Sequence, residues 1–513
     1  MTGRSTMARL GPAVMTLLLA PTLGCAVGPD FERPAAPEAN GYTRDPLEAK
    51  TTSAEGQGGE GQRFVRDLDI PAQWWTLFHS KALDTLIETT LANNADLQTA
   101  QAALRIAREN YLAQQAVYYP SIDTGFNASR NKNSNTLSPT LAVPGIPYFN
   151  LYNAQVNVSY VLDVFGGNRR QVESLAAQAE AQRFQLEAAY LTLTSNVVAA
   201  AVQEASLRGQ IAATEDIVKV ETEQLDILRR RNALGDAAGA DVKAQEAALD
   251  QAQANLLPLK KQLALQRDLL TALAGRLPSN EVAETFDLAT LTLPQDLPVS
   301  LPSKLVEQRP DIQAAEANLH TASAQVGVAI ANMLPEITLS ANIGSVATQA
   351  NELFMPGNGF WSIAGGLAQP IFEGGALLHK TRAARAALDQ AAAQYRSTVV
   401  TAFQNVADTL RALQNDADAL KATSAADRAA SDSLAISKKL LQLGDISYMA
   451  LLNAEQTYQQ AVINRVQAEA NRYADTAALF QALGGGWWNR SDDSHFEARS
   501  PTRPVGYSGK GEN

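Results

Sequence analysis

Residues 168–234 contain no proline and a single glycine, Gly209, so nothing in this stretch forces the backbone out of a helix. At 1.5 Å per residue, roughly 67 residues in one helix reach about 100 Å, against ~11 residues for an ordinary globular helix. No single globular core is that wide. Apolar residues recur every seven positions at Leu186, Leu193, Ala200 and Leu207, and again at Tyr190, Val197, Ile211, Val218 and Leu225. This is the spacing of a coiled-coil seam. Glu204, Thr214 and Glu221 interrupt it, and the abundance of alanine predicts close packing against several helices rather than a simple zipper.

Residues 376–443 form a second run, free of both glycine and proline. Each run follows a glycine pair (Gly166-Gly167, Gly374-Gly375) and ends in Leu-Gly-Asp, at 234–236 and 443–445. Asp311-Ile312-Gln313 repeats Asp96-Leu97-Gln98, and Pro335-Glu336-Ile337 repeats Pro120-Ser121-Ile122, both 215 residues apart. The chain is therefore built twice. Each half reads as helix, two strands, long helix and return helix, over 74–275 and 306–486, joined by a linker at 276–305. The opening helix is expected to run from Trp74 to Tyr118, and Pro258 is expected to kink or divide the first return helix.

Four segments alternate in polarity. Ile122, Thr124, Phe126 and Ala128 come first, then Val156, Val158, Tyr160, Leu162 and Val164 against Asn157, Ser159, Val161 and Asp163. A loop is expected between them, over about 130–153. The second half offers Ile337, Leu339, Ala341 and Ile343, then Trp361, Ile363 and Leu367. About ten residues, apolar on one side and mainly polar on the other, suit a transmembrane β-strand. A solvent-facing hairpin shows the same alternation, but the position between two very long helices favours the membrane. Four strands cannot close: open edges in lipid cost several kcal/mol per unpaired group, and the smallest single-chain barrels need about eight strands. Several chains must share one barrel; the residues alone leave two, three or four copies open.

Apolar residues make up 46% of the 513, which excludes wholesale disorder, and a net charge of −11 without a basic stripe argues against nucleic acid. The only cysteine is Cys25 and the four histidines are scattered, so no metal site, disulfide framework or cofactor is expected. No phosphate-binding loop of the Gly-x-x-x-x-Gly-Lys-Ser/Thr type occurs, and no acid, base and nucleophile cluster; an enzyme is not expected. Residues 1–24 read as an export signal, with Arg4 and Arg9 before the apolar Leu10 to Leu19. Leu23-Gly24-Cys25 then predicts a lipid-modified Cys25. Residues 25–73, rich in Pro and Gly and including Glu55-Gly56-Gln57-Gly58-Gly59-Glu60-Gly61, read as an extended tether. Residues 487–513 read as a disordered tail.

The chain resembles the outer-membrane factors, the TolC-like channels of tripartite efflux pumps, and within them the NodT-type lipoproteins that pair with resistance-nodulation-division transporters. The resemblance rests on Gly24-Cys25-Ala26-Val27-Gly28-Pro29-Asp30-Phe31, Trp74-Trp75 with Phe78, and Leu301-Pro302-Ser303 running into Arg309-Pro310-Asp311-Ile312. It continues in Pro370-Ile371-Phe372-Glu373-Gly374-Gly375 and Leu443-Gly444-Asp445. Gln308 departs from the family, which often has a second arginine there. The resemblance implies a mainly α fold with a small β part: a homotrimer whose strands complete a 12-stranded outer-membrane barrel above a coiled-coil α-barrel in the periplasm. It also implies a passive exit duct for small molecules, driven by an inner-membrane transporter through a periplasmic adaptor. The adaptor would meet the tips at Gly235, Asp236, Gly444 and Asp445. Two rivals remain: an exit duct for secreted proteins served by an ATP-driven exporter, and a structural coiled-coil lipoprotein.

In that family the gate lies at the second tip, where an apolar residue and, one turn later, a carboxylate ring the narrow end. Counting from Leu443-Gly444-Asp445, these are Met449 and Asn453, so an amide replaces the carboxylate. The first-repeat equivalents are Ala240 and Ala244. The alternative reading of Met449 is as core filling.

Overall fold

The computed structural model describes residues 26–39, 41–132 and 148–490. In chain order the elements are β1 (Arg63–Arg66), α1 (Lys81–Asn93), α2 (Ala95–Gln115), β2 (Ser121–Lys132), β3 (Tyr148–Leu162), α3 (Gly167–Ala233) and α4 (Gly239–Leu273). There follow β4 (Asp296–Val299), α5 (Pro302–Gln308), α6 (Pro310–Ala331), β5 (Glu336–Ala347), β6 (Gly359–Ala368), α7 (Ala376–Leu443) and α8 (Tyr448–Ala482). The fold is mainly helical. α3 and α7 run unbroken for 67 and 68 residues, as their lack of helix breakers requires.

Two compact units each draw on both halves of the duplication. Among the described residues the first comprises 26–34, 103–132, 148–182 and 314–396 and holds an antiparallel sheet in the order β2-β3-β5-β6. Its register pairs Ile122 with Val158, Val158 with Ala341, and Ala341 with Ile363. β2 and β3 extend further than expected. Lys132 pairs with Tyr148 and Asn127 with Asn153, so ladder bonds claim backbone that its Asn-rich composition assigned to a loop. Residues 133–147 lie outside the described residues.

The N-terminal segment of this unit is bonded down rather than loose. Val27 N–H donates to the Phe165 carbonyl at 3.0 Å. Arg170, 4% exposed, donates to Asp30 Oδ1 at 2.5 Å, Glu173 Oε2 at 2.8 Å and the Val27 carbonyl at 3.2 Å. Phe31 stacks on His320 at 4.3 Å, and His320 Nε2 lies 2.8 Å from Glu173 Oε1. Gly28, at φ +93°, lies so close to the backbone of Gly327 that a side chain would collide with it.

Among the described residues the second unit comprises 35–39, 41–102, 183–313 and 397–490. Its core gathers Trp74, Phe78, Phe286, Leu270, Tyr473 and Phe480, all buried, with Trp74 stacked on Phe480 at 5.4 Å. Trp74–Phe78 is a 3-10 turn, and the helix expected to continue to Tyr118 divides at Asn94. Asn94 leaves helical geometry, caps α2 by accepting from Leu97 N–H at 3.0 Å, and donates to the Leu273 carbonyl at 3.1 Å. α4, by contrast, is not divided at Pro258.

Within 41–73, a part of the expected tether that belongs to this unit, the chain is also structured. β1 pairs in parallel with β4. The glycine-rich stretch turns on itself, Ala54 N–H donating to the Gly59 carbonyl at 2.8 Å. Buried Arg472 donates to the Gly58 and Glu60 carbonyls, the latter at 2.9 Å, and to Gln62 Oε1 at 3.2 Å. The beginning of the expected tail is ordered as well. Trp487 meets Phe184 edge-on at 5.7 Å and donates to the Gln308 carbonyl at 2.7 Å. Residues 491–513 lie outside the described residues.

Candidate functional site: a two-faced sheet and the helical tips

Because opposed residues of an antiparallel ladder share a face, the register sorts the sheet of the first unit completely. One face carries Ile122, Phe126, Val156, Val158, Tyr160, Ile337, Leu339, Ile343, Trp361, Ile363 and Leu367. The other carries Asp123, Asn127, Asn153, Gln155, Asn157, Ser159, Ser340, Asn342 and Ser362. Ile122, Trp361 and Ile363 are each more than 70% exposed. Water would penalise such a surface by about 25 cal/mol per Å², while lipid would cover it at no cost. Along the polar face, Asn153 donates to Gln155 at 3.0 Å and Gln155 to Asn157 at 2.9 Å. Among the described residues β2 and β6 each pair on one side only, leaving two edges to be closed by other strands. No helix among the described residues is long and apolar enough to cross a membrane.

Both tips in the second unit have the same local structure. Gly235 and Gly444 adopt left-handed φ of +81° and +77°. Gly235 N–H donates to the Asn232 carbonyl at 3.0 Å and Asp236 N–H to that of Arg231 at 2.9 Å; Gly444 and Asp445 bond likewise to Leu441 and Leu440. This Schellman closure explains why Leu-Gly-Asp recurs. Asp236 also pairs with Arg231 at 2.9 Å. All four tip residues are exposed. Met449 and Asn453 lie on one face of α8; Met449 is 52% exposed and Asn453 is exposed, so within this chain Met449 is not core filling. Cys25 lies outside the described residues; its neighbour Ala26 sits against Gly166, just beyond the end of β3.

A polar cluster close to the second tip escapes the motif reading. Buried Glu221 on α3 accepts from Gln245 of α4 and, at 3.3 Å, from Gln459 of α8. Buried Glu455 on α8 accepts from Gln224 at 2.5 Å, and Tyr448 donates to Gln245 Oε1 at 2.5 Å. Burial raises the pKa of both acids, and the charge of Glu455 raises that of Glu221 further. The signal was in the sequence: Glu221 breaks the apolar seam. So does Glu204, which is fully buried between Arg208 at 2.7 Å and Arg267 at 2.9 Å.

A sheet with one mainly apolar face, an opposite mainly polar face and two edges open among the described residues, carried on a chain with 67- and 68-residue helices, defines a barrel-forming outer-membrane channel subunit. The sequence profile described as outer membrane efflux protein matches residues 86–276 and 301–485, one segment in each half of the duplication. The chain belongs to this family. It is 30% identical over 502 residues to the probable efflux pump outer membrane protein TtgC of Pseudomonas putida, covering 97% of this chain and 99% of that protein. It is 28% identical to the outer membrane protein OprJ of Pseudomonas aeruginosa, covering 92% and 96%. Among solved structures, VceC of Vibrio cholerae aligns with a TM-score of 0.76 and 27% identity over 82% of this chain and all of that one. The open state of the MtrE channel of Neisseria gonorrhoeae aligns with a TM-score of 0.76 and 26% identity over 90% and 99%.

Proposed function

We propose that this protein is the outer-membrane exit duct of a tripartite efflux pump and exports small molecules as a homotrimer. The observation that carries the reading is the two-faced sheet: a mainly apolar face, an amide-lined opposite face and two edges unpaired among the described residues fit a barrel shared between chains. Cys25 carries the lipid that adds a second anchor in the outer membrane. The exposed turns at Gly235-Asp236 and Gly444-Asp445 meet a periplasmic adaptor, which joins the duct to a resistance-nodulation-division transporter in the inner membrane. Met449 and Asn453 form the gate. Energy comes from the transporter, and the duct performs no chemistry of its own.

Deletion of the gene tests the reading. Hypersensitivity to small toxic compounds, restored by the wild-type protein, is expected, together with co-purification of an adaptor and a proton-driven transporter. Loss of a secreted protein without any change in sensitivity would instead support a duct for protein secretion.

A further inference from the structure

Within the second unit, α3, α7 and α8 line a half-open cavity of about 520 Å³. Ile217, Leu434, Tyr458 and Val462 form an apolar and aromatic side, and Glu221 and Glu455 an acidic one. The two acids are 2% and 3% exposed. Gln245 and Gln459 serve Glu221, and Gln224 serves Oε1 of Glu455, but Oε2 of Glu455 has no hydrogen-bond partner. A buried carboxylate oxygen without a donor is costly, and here its residue lines a cavity of the size that holds a drug-like molecule. The other charged groups facing the space are Asp216, Lys219 and Glu223 from α3 and Lys438 from α7. Lys438 favours the charged form of both buried acids, yet forms no ion pair with either among the described residues.

We propose that this cavity binds an amphiphilic organic cation, a protonated amine on an apolar or aromatic body. The ammonium lies between Glu221 and Glu455, and the body rests against Leu434, Tyr458 and Val462. The amine supplies the donor that Glu455 Oε2 lacks and neutralises two acids that repel each other. A metal ion fits less well, since no group of three His, Cys, Asp or Glu side chains among the described residues is placed to hold one. An anion would face the carboxylates. The inference needs only the fold of the second unit and does not depend on the export reading.

The test titrates full-length protein in lipid nanodiscs with 4-phenylbutylamine and with its uncharged counterpart 4-phenylbutanol, against empty nanodiscs, by calorimetry. The amine is expected to bind saturably, and the alcohol at least about tenfold more weakly, as loss of a charged hydrogen bond implies. Glu455→Gln should weaken the amine by a similar factor and leave the alcohol unchanged. Lys438→Gln, which removes a competing charge without touching the buried acids, should tighten the amine. Ala213→Trp, on the cavity wall, should abolish both. Equal affinity for amine and alcohol, absence of saturable amine binding in the millimolar range, or an affinity unmoved by Glu455→Gln and Lys438→Gln would overturn the proposal.

Discussion

Arg490 Nη2 donates to Glu187 Oε1 at 2.6 Å, and the same guanidinium lies 4.3 Å from the ring centre of Tyr190. The Glu187 side chain is 3% exposed and that of Arg490 20%, so the arginine neutralises a buried acid from the start of a segment whose composition reads as disordered. Arg490→Ala should destabilise the protein by ~3 kcal/mol, the lower end for breaking a buried pair. Chemical denaturation measures it. Adding Glu187→Gln to that variant should recover part of the loss, because the uncompensated charge is then gone.

The sheet register makes a directional prediction. Val158→Arg or Leu339→Arg puts a charge on the apolar face and should cost ~2–4 kcal/mol per chain near the bilayer midplane, while Asn157→Arg on the polar face should be tolerated. The fraction of heat-labile oligomer on gels separates the two cases. Equal loss for Val158→Arg and Asn157→Arg would place these residues wrongly.

Asp416 on α7 is raised from 3.8 to about 7, first by burial and then by the neighbouring carboxylate of Asp475. The native state keeps a proton that the unfolded chain has released, so this pair makes stability fall as pH rises from about 4 to about 7. Below that window both states are protonated and the effect vanishes. Asp416→Asn should flatten the dependence and raise the melting temperature above pH 7, as thermal unfolding across the range will show.

At the second tip, the proposed gate predicts that Met449→Ala raises the resting conductance of the reconstituted channel, by removing bulk from the narrow end. Asn453→Asp should strengthen block by divalent cations applied from the periplasmic side, because clustered carboxylates attract them and amides do not. Single-channel recordings in which neither change appears would reject the gate assignment.

Cys25 should carry lipid in the mature protein. Mass spectrometry of the N-terminal peptide checks this directly, and an unmodified thiol would exclude the anchor. Cys25→Ser should still assemble, since the barrel holds the protein in the membrane independently.

The long helices were legible almost to the residue, because a run without glycine or proline and a left-handed glycine after its last turn leave the backbone few options. Residues 168–234 and 376–443 correspond to Gly167–Ala233 and Ala376–Leu443. The strands were legible in type and facing, although ladder pairing extended them beyond their alternating cores. The residues between Ala26 and Arg66 were misread for a physical reason. Their order comes from partners far along the chain: Arg472 for the carbonyls of Gly58 and Glu60, β4 for β1, and Arg170 for Asp30. Composition cannot report such partners. Trp487 and Arg490 were lost to the same error, being short anchors at the start of a polar tail. The break at Asn94 had a usable signal, an asparagine with an aspartate two residues on, masked by the helical pattern on either side.

The amide chain from Asn153 through Gln155 to Asn157 has one further consequence. Apart from Asp123 and Glu336, the polar face of the sheet carries no ionisable side chain; it is carboxamide, hydroxyl and glycine, with a few apolar residues. A dissolved molecule passing along such a lining can trade water for amide contacts almost evenly, and the fixed charges it meets there are the carboxylates of Asp123 and Glu336. Beside those two acids a cation meets less resistance than an anion of equal size. Any further discrimination by charge has to be made outside this stretch.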